Sequence, residues 1–134
     1  MFSTMDISAS ALSAERSRMR MIANNLANAE SYVRGPDGSM RPYRRKRMVF
    51  QLGSGAGAGE GVSVAKVVDE MSEFRRVYDP DHPYAGPDGC VLMPNVNPIV
   101  EMVDMMEATR AYEANVTAMD ATKSILAAAF KIIA

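Results

Sequence analysis

No proline or glycine occurs in residues 1–34 or after Pro98, while residues 31–96 hold all nine glycines and six of the seven prolines. Punctuation this uneven allows long uninterrupted helices at the two ends and forces turns in the middle. The chain of 134 residues therefore reads as an N-terminal helical segment (1–30), an irregular middle (31–96) and a C-terminal helical segment (97–134).

The first helix starts near Ser3 or Asp6, either of which suits a cap, and runs to about Glu30. Its apolar residues recur as Met5, Leu12, Met19, Ile22, Leu26 and Ala29, in sums of three and four, with Ser8 and Glu15 in the two missing places. The second helix has Asn97 as cap, Pro98 in its first position, and Glu101 and Asp104 near the positive end of its dipole. Steps of three and four along it give Met102, Met105, Thr109, Tyr112, Val116, Met119, Lys123, Leu126, Phe130 and Ile133. At about 1.5 Å per residue it extends roughly 55 Å, more than a globule of this size requires. The expected fold is mainly α, with long N- and C-terminal helices paired as a coiled coil and a small β-rich middle domain.

Within the middle, "RMVFQL" and "GVSVAKVV" alternate with period two and predict strands, with "EFRRVY" and "CVLM" as weaker ones. Between the first two lies "GSGAGAGEG" (53–61), a connector by composition. The Asp-Pro, Gly-Pro and Asp-Gly pairs of "DPDHPYAGPDG" predict a turn-rich loop.

The charge balance is +5 over residues 1–59 and −6 over residues 60–134. Such a polarised chain suits head-to-tail packing of one subunit on the next, or neutralisation of one half by the other within a monomer. Cys90 stands alone, which excludes a disulfide framework and a cysteine-based zinc site. No apolar run is long enough to span a membrane. The N-terminus carries Asp6 and no Lys or Arg before Arg16, unlike a secretory signal. Trp is absent, and twelve methionines supply adaptable apolar contacts.

Catalytic readings find little support. His82, among Asp79, Asp81, Pro83 and Asp88, has the setting of a loop residue rather than a ligand, and Cys90 has no histidine partner. The glycine run is not followed by Lys-Ser/Thr and opens no helix, so it is no phosphate loop. We expect no enzyme activity, no cofactor and no metal. "RPYRRKR" (41–47) is the strongest local charge feature. An acidic neighbouring subunit fits it better than nucleic acid, because the chain is slightly acidic and shows no nucleic-acid module.

Asn24, Asn25 and Asn28 sit in "MIANNLANAE" despite poor helix propensity. A buried Asn beside an apolar seam selects one packing register, as in coiled coils. Ala23 and Ala27 on this helix, and Ala111, Ala114, Ala118, Ala121 and Ala128 on the second, allow close approach of several neighbours.

The two ends, "SALSAERSRMRMIANNLANAES" and "PNVNPIVEMVDMMEATRAYEANVTAMDATKSIL", resemble those of the bacterial flagellar rod and hook proteins. The middle stretches "PYRRKRMVF" and "YDPDHPYAGPDGCVLMPNVN" resemble the proximal-rod members of that family. The resemblance implies a structural subunit of the basal-body rod, exported by the flagellar type III apparatus and assembled in the periplasm into a torque-transmitting helical tube around the export channel. Its partners would be copies of itself, other rod proteins, and membrane-ring and export-apparatus proteins at the rod base, with neither nucleic acid nor a membrane span. The expected assembly residues are Leu12, Met19, Ile22, Leu26, Met105, Tyr112, Val116, Met119, Leu126 and Phe130 in the seams. Asn24, Asn25 and Asn28 would set register, and Arg44, Arg45 and Arg47 would meet a neighbour. The alternative is a cytoplasmic helical adaptor that binds an acidic partner through residues 41–47.

Overall fold

The computed structural model describes residues 2–53 and 61–133. Helix α1 (Phe2–Ala27) and helix α2 (Pro98–Ile133) bracket six strands: β1 (Tyr32–Arg34), β2 (Met40–Pro42), β3 (Lys46–Leu52), β4 (Val62–Asp69), β5 (Arg75–Tyr78) and β6 (Cys90–Met93). The helices take 26 and 36 residues, about half of the chain. The strands form three separate antiparallel pairs, β1–β2, β3–β4 and β5–β6.

α2 opens as its sequence dictates. The Ile99 amide donates to Asn97 Oδ1 (3.0 Å), which satisfies one of the free donors of the first turn. α1 begins at Phe2, ahead of both expected caps, so Asp6 lies inside it. Its C-terminal end loosens into three-residue turns at Asn28 and Ala29. There Asn28 Nδ2 donates to the Asn24 carbonyl (2.8 Å) and to Asn24 Oδ1 (2.7 Å).

The helices pack antiparallel. Asn25 meets Glu101, Arg18 lies 3.8 Å from Glu107, and Met19 Sδ is 3.7 Å from Thr109 Oγ1. The covered stripe of α2 includes Glu101, Met105, Ala108, Tyr112, Asn115, Met119, Thr122, Leu126 and Ala129, in alternating steps of four and three. Four of these nine, Met105, Tyr112, Met119 and Leu126, are residues expected from sequence. The other five stand one place before the expected Met102, Thr109, Val116, Lys123 and Phe130, of which Val116 is half-buried and the rest exposed. Physically, Glu101, Ala108, Asn115 and Ala129 are small or hydrogen-bonding, and they let α1 approach. α1 departs in part: Ala14 and Asn25 are buried beside the expected Ile22, with Ala29 buried just past the helix end, whereas Leu26 is 37% exposed.

The β3–β4 hairpin lies along α1. Its register shifts between Val49 and Phe50, leaving Ala65 unpaired as a bulge. Where it reaches the serines of α1, the Val62 amide donates to Ser10 Oγ (3.0 Å). The hairpin closes at Gly53 N–H to the Gly61 carbonyl, 3.0 Å. The rest of the glycine-rich connector, residues 54–60, lies outside the described residues.

The other two hairpins share a turn that sequence reading did not pair. "GPDGS" (35–39) and "GPDGC" (86–90) adopt the same hydrogen-bonding pattern. Gly35 N donates to the Ser39 carbonyl and Gly86 N to the Cys90 carbonyl, while Gly38 and Gly89 close back on Gly35 and Gly86. The last glycine of each has φ of +79° and +71°, a conformation that L side chains rarely adopt. In each, the Asp accepts the amide two residues on: Asp37 from Ser39 (3.2 Å) and Asp88 from Cys90 (3.3 Å). The two hairpins touch through Tyr32, whose ring packs at a tilt against Tyr84 (centroids 4.8 Å) and His82 (5.6 Å), with its hydroxyl donating to the Leu92 carbonyl (2.7 Å).

The helix–hairpin junction and the assembly faces

Helices and hairpins converge on Asn25, which is wholly buried. Its side-chain amide pairs with the backbone of Lys46 as a neighbouring strand would. Nδ2 donates to the Lys46 carbonyl (2.9 Å) and Oδ1 accepts the Lys46 amide (3.0 Å). The same Oδ1 accepts the Tyr43 hydroxyl (3.0 Å), and Nδ2 also reaches Glu101 Oε2 (3.3 Å). One amide thus joins α1, the start of β3 and α2, with every polar atom satisfied.

Arg45, the residue just before β3, faces three carboxylates. Its Nε donates to the fully buried Glu101, Nη1 to Glu70 (2.6 Å) and Nη2 to Asp104 (3.1 Å). Burial alone would lower the guanidinium pKa; hydrogen bonds and charge from Glu101 and Glu70 outweigh it and raise the pKa, so Arg45 is a permanent cation. Asn95 completes the junction: its Oδ1 accepts the Arg45 amide (2.7 Å) and its Nδ2 donates to the Glu70 carbonyl (3.0 Å) and Ser72 Oγ (2.8 Å). Ala29, Tyr43 and Val96 pack as the apolar core beneath, and burial raises the Tyr43 pKa.

The basic run is therefore mostly engaged within the chain. Arg41 pairs with Asp37 (2.8 Å) and Lys46 with Asp69 (3.0 Å). Arg44 donates to the Glu70 and Ser72 carbonyls and lies 4.2 Å from the centre of the Phe74 ring. Arg47 alone of the five is exposed and without an ion pair among the described residues. This leaves little free cationic surface for nucleic acid or for the adaptor alternative.

The expected asparagines separate into two kinds. Asn25 is buried, whereas Asn24 is exposed and Asn28 half-buried, bonded to one another at the helix end. Among the seam residues, Ile22 is 2% exposed, while Leu12, Met19, Met105, Tyr112, Val116, Met119 and Leu126 are half-buried. Phe130, at 64%, is open. Sequence reading missed Glu70, Asn95 and the pairing role of Glu101. The available signal for Glu101 was a carboxylate one turn into a helix with no basic residue within four positions. Glu107, Glu113 and Asp120 add acid to the open face of α2.

Comparison with known proteins settles the family. The flagella basal body rod protein family model matches residues 5–30, on α1. The model of the C-terminal region of the flagellar basal body rod FlgEFG proteins matches residues 88–132, covering α2. The flagellar basal-body rod protein FlgC of Bacillus subtilis (strain 168) is 44% identical, over 98% of this chain and 97% of its own. The chain belongs to the FlgC family of flagellar basal-body rod proteins. FlgC of Escherichia coli O157:H7 is 46% identical over 90% of this chain and 89% of its own. FlgC of Borreliella burgdorferi is 38% identical over 99% and 97%. The protein is a structural subunit of the flagellar basal body, not an enzyme. A chain whose buried polar groups are used to lock helices to hairpins suits that role.

Proposed function

We propose that this chain builds the proximal part of the rod as a self-assembling helical tube. The observation that carries the reading is the end-to-end match to FlgC relatives, which spans both helices and the middle region. In the assembled rod α1 and α2 act as a coiled coil, residues 1–30 and 97–134 forming the tube wall and residues 31–96 lying outside it. The covered stripes in steps of three and four support that winding.

Its partners in this reading are copies of itself, other rod proteins, and membrane-ring and export-apparatus proteins at the rod base. Export proceeds through the flagellar type III apparatus. The assembled tube surrounds the export channel and carries torque from the motor to the hook. Half-buried Leu12, Met19 and Leu126, with exposed Leu26 and Phe130, hold apolar surface in reserve for neighbours. Arg47 supplies the free charge of the basic run. Deleting the gene should abolish motility and leave basal bodies without a rod in electron micrographs, with both restored by the full-length chain. Normal swimming in the deletion strain would refute the proposal.

A further inference from the structure

α1 and the β3–β4 hairpin enclose two adjoining recesses that share Met21 and Met48. Their floor is apolar and open: Phe50 is 37% exposed and Val67 49%. Their rim is basic. Arg20 and Arg47 are exposed and make no ion pair among the described residues. Arg18 is divided between Glu15 and Glu107, each 3.8 Å away and beyond hydrogen-bond length. The one acid lining the recesses is Asp104.

The complementary surface is on the same molecule. The face of α2 turned away from α1 exposes Met102 (49%) and Met106 (54%). Further along that face come Glu113 and Asp120, seven residues apart, exposed and without an ion pair among the described residues. Arg110 lies between the apolar and acidic parts of that face. An apolar helix face bearing carboxylates fits a methionine-floored groove rimmed with arginine, and thioether side chains adapt to one another.

We propose that the recesses between α1 and the β3–β4 hairpin receive the outer face of α2 from a second copy of this chain. Met102 and Met106 enter the floor, and Glu113 and Asp120 meet the arginine rim. Donor and acceptor are different surfaces, so the contact is head-to-tail and repeats along a helix instead of closing on itself as a two-fold dimer. Ion pairs of Arg45 and Lys46 with Glu70, Glu101, Asp104 and Asp69 already join the oppositely charged halves within one chain, and the proposed contact draws on the charges they leave unpaired. The proposal rests on the structural-subunit reading above and specifies one contact within it.

The test is a photo-crosslinking residue at Phe50, irradiated in purified basal bodies. The expected product is a pair of identical chains linked between Phe50 of one and residues 99–113 of the other. Crosslinks to a different rod protein, links elsewhere on a second copy, or none would overturn the proposal. A second arm removes dependence on that one variant. Arg20→Glu with Arg47→Glu should cut the copies incorporated per basal body by about tenfold, as like charges are brought together. Adding Glu113→Arg and Asp120→Arg to the same chain should restore incorporation to within about twofold. Incorporation that is unaffected by the first pair, or not restored by the second, overturns the contact. Absence of the wild-type chain from basal bodies would instead refute the structural reading itself.

Discussion

Asn25 illustrates how much one side chain carries. Its removal would leave both polar groups of Lys46, the Tyr43 hydroxyl and an oxygen of buried Glu101 short of a partner. Unsatisfied buried groups cost about 1–3 kcal/mol each, with partial relaxation. Asn25→Leu should therefore lower stability by roughly 3–5 kcal/mol in urea unfolding, while Asn24→Ala stays within about 1 kcal/mol. Equal losses would place the asparagine effect in helix propensity instead. Arg45→Met should cost about 3–5 kcal/mol because it strands a fully buried carboxylate, and Glu101→Gln in the same chain should recover part of it. An Arg45→Met chain as stable as wild type would show that the ion pair contributes nothing net. In the sequence the three asparagines look alike, since each merely lowers helix propensity. What distinguishes Asn25 is its position opposite Lys46 and Glu101, which are 21 and 76 residues away.

Between elements, small residues decide how closely things pack. Ala108 has no exposed surface where α1 crosses α2, so Ala108→Leu should destabilise by about 1–3 kcal/mol through overpacking. Met102→Leu, on the open face, should cost less than about 0.5 kcal/mol, and similar losses at both sites would contradict the assigned seam. Heptad counting by apolar residue found the correct helices and the correct period. It chose the bulkier residue at alternate steps because helix periodicity does not report which side chains are small enough for contact.

The repeated turns make a pH prediction. Hydrogen bonds from Ser39 and then Arg41 hold the Asp37 carboxyl at about 2, below its ordinary 3.8. The Cys90 amide and the Arg76 charge lower Asp88 in the same way. A depressed carboxylate stabilises the fold fully above its unfolded pKa, and the contribution fades as pH falls through the folded value. The Gly38 and Ser39 amide signals should thus stay native-like at about pH 4 and shift with a midpoint near pH 2 in an NMR titration. A midpoint at the ordinary value would remove the assigned hydrogen bonds. The Asp-Gly pair of the second turn was read in sequence and that of the first was not, and their equivalence appeared only once each carboxylate was seen accepting the amide two residues on.

On the scale of the whole molecule, burial thins out along α2. Ala14, Ile22, Asn25, Ala29, Tyr43, Val91, Val96, Glu101 and Ala108 are buried, and among the described residues α2 has no buried position beyond Ala108. A helix without covered apolar surface gains little against its ordering entropy. Amide exchange on the isolated chain should be slowest at residues 22–29 and 98–108 and fast beyond about residue 120, with the distal helix slowing on incorporation into basal bodies. Uniform protection along α2 in the monomer would contradict this gradient.

The distribution of proline and glycine, the cap at Asn97, the strand alternation and the motifs of the two ends were sufficient to place the helices, the longer hairpin and the family. These are local properties, set by backbone propensity and by spacing along the chain. The junction was decided only in three dimensions. Five basic residues among seven promise a binding patch until the fold brings Asp37, Glu70, Asp69, Glu101 and Asp104 against three of them. Whether a charge is free or neutralised, and whether an asparagine is a surface residue or a central link, depends on partners far along the chain. Only tertiary packing supplies those partners.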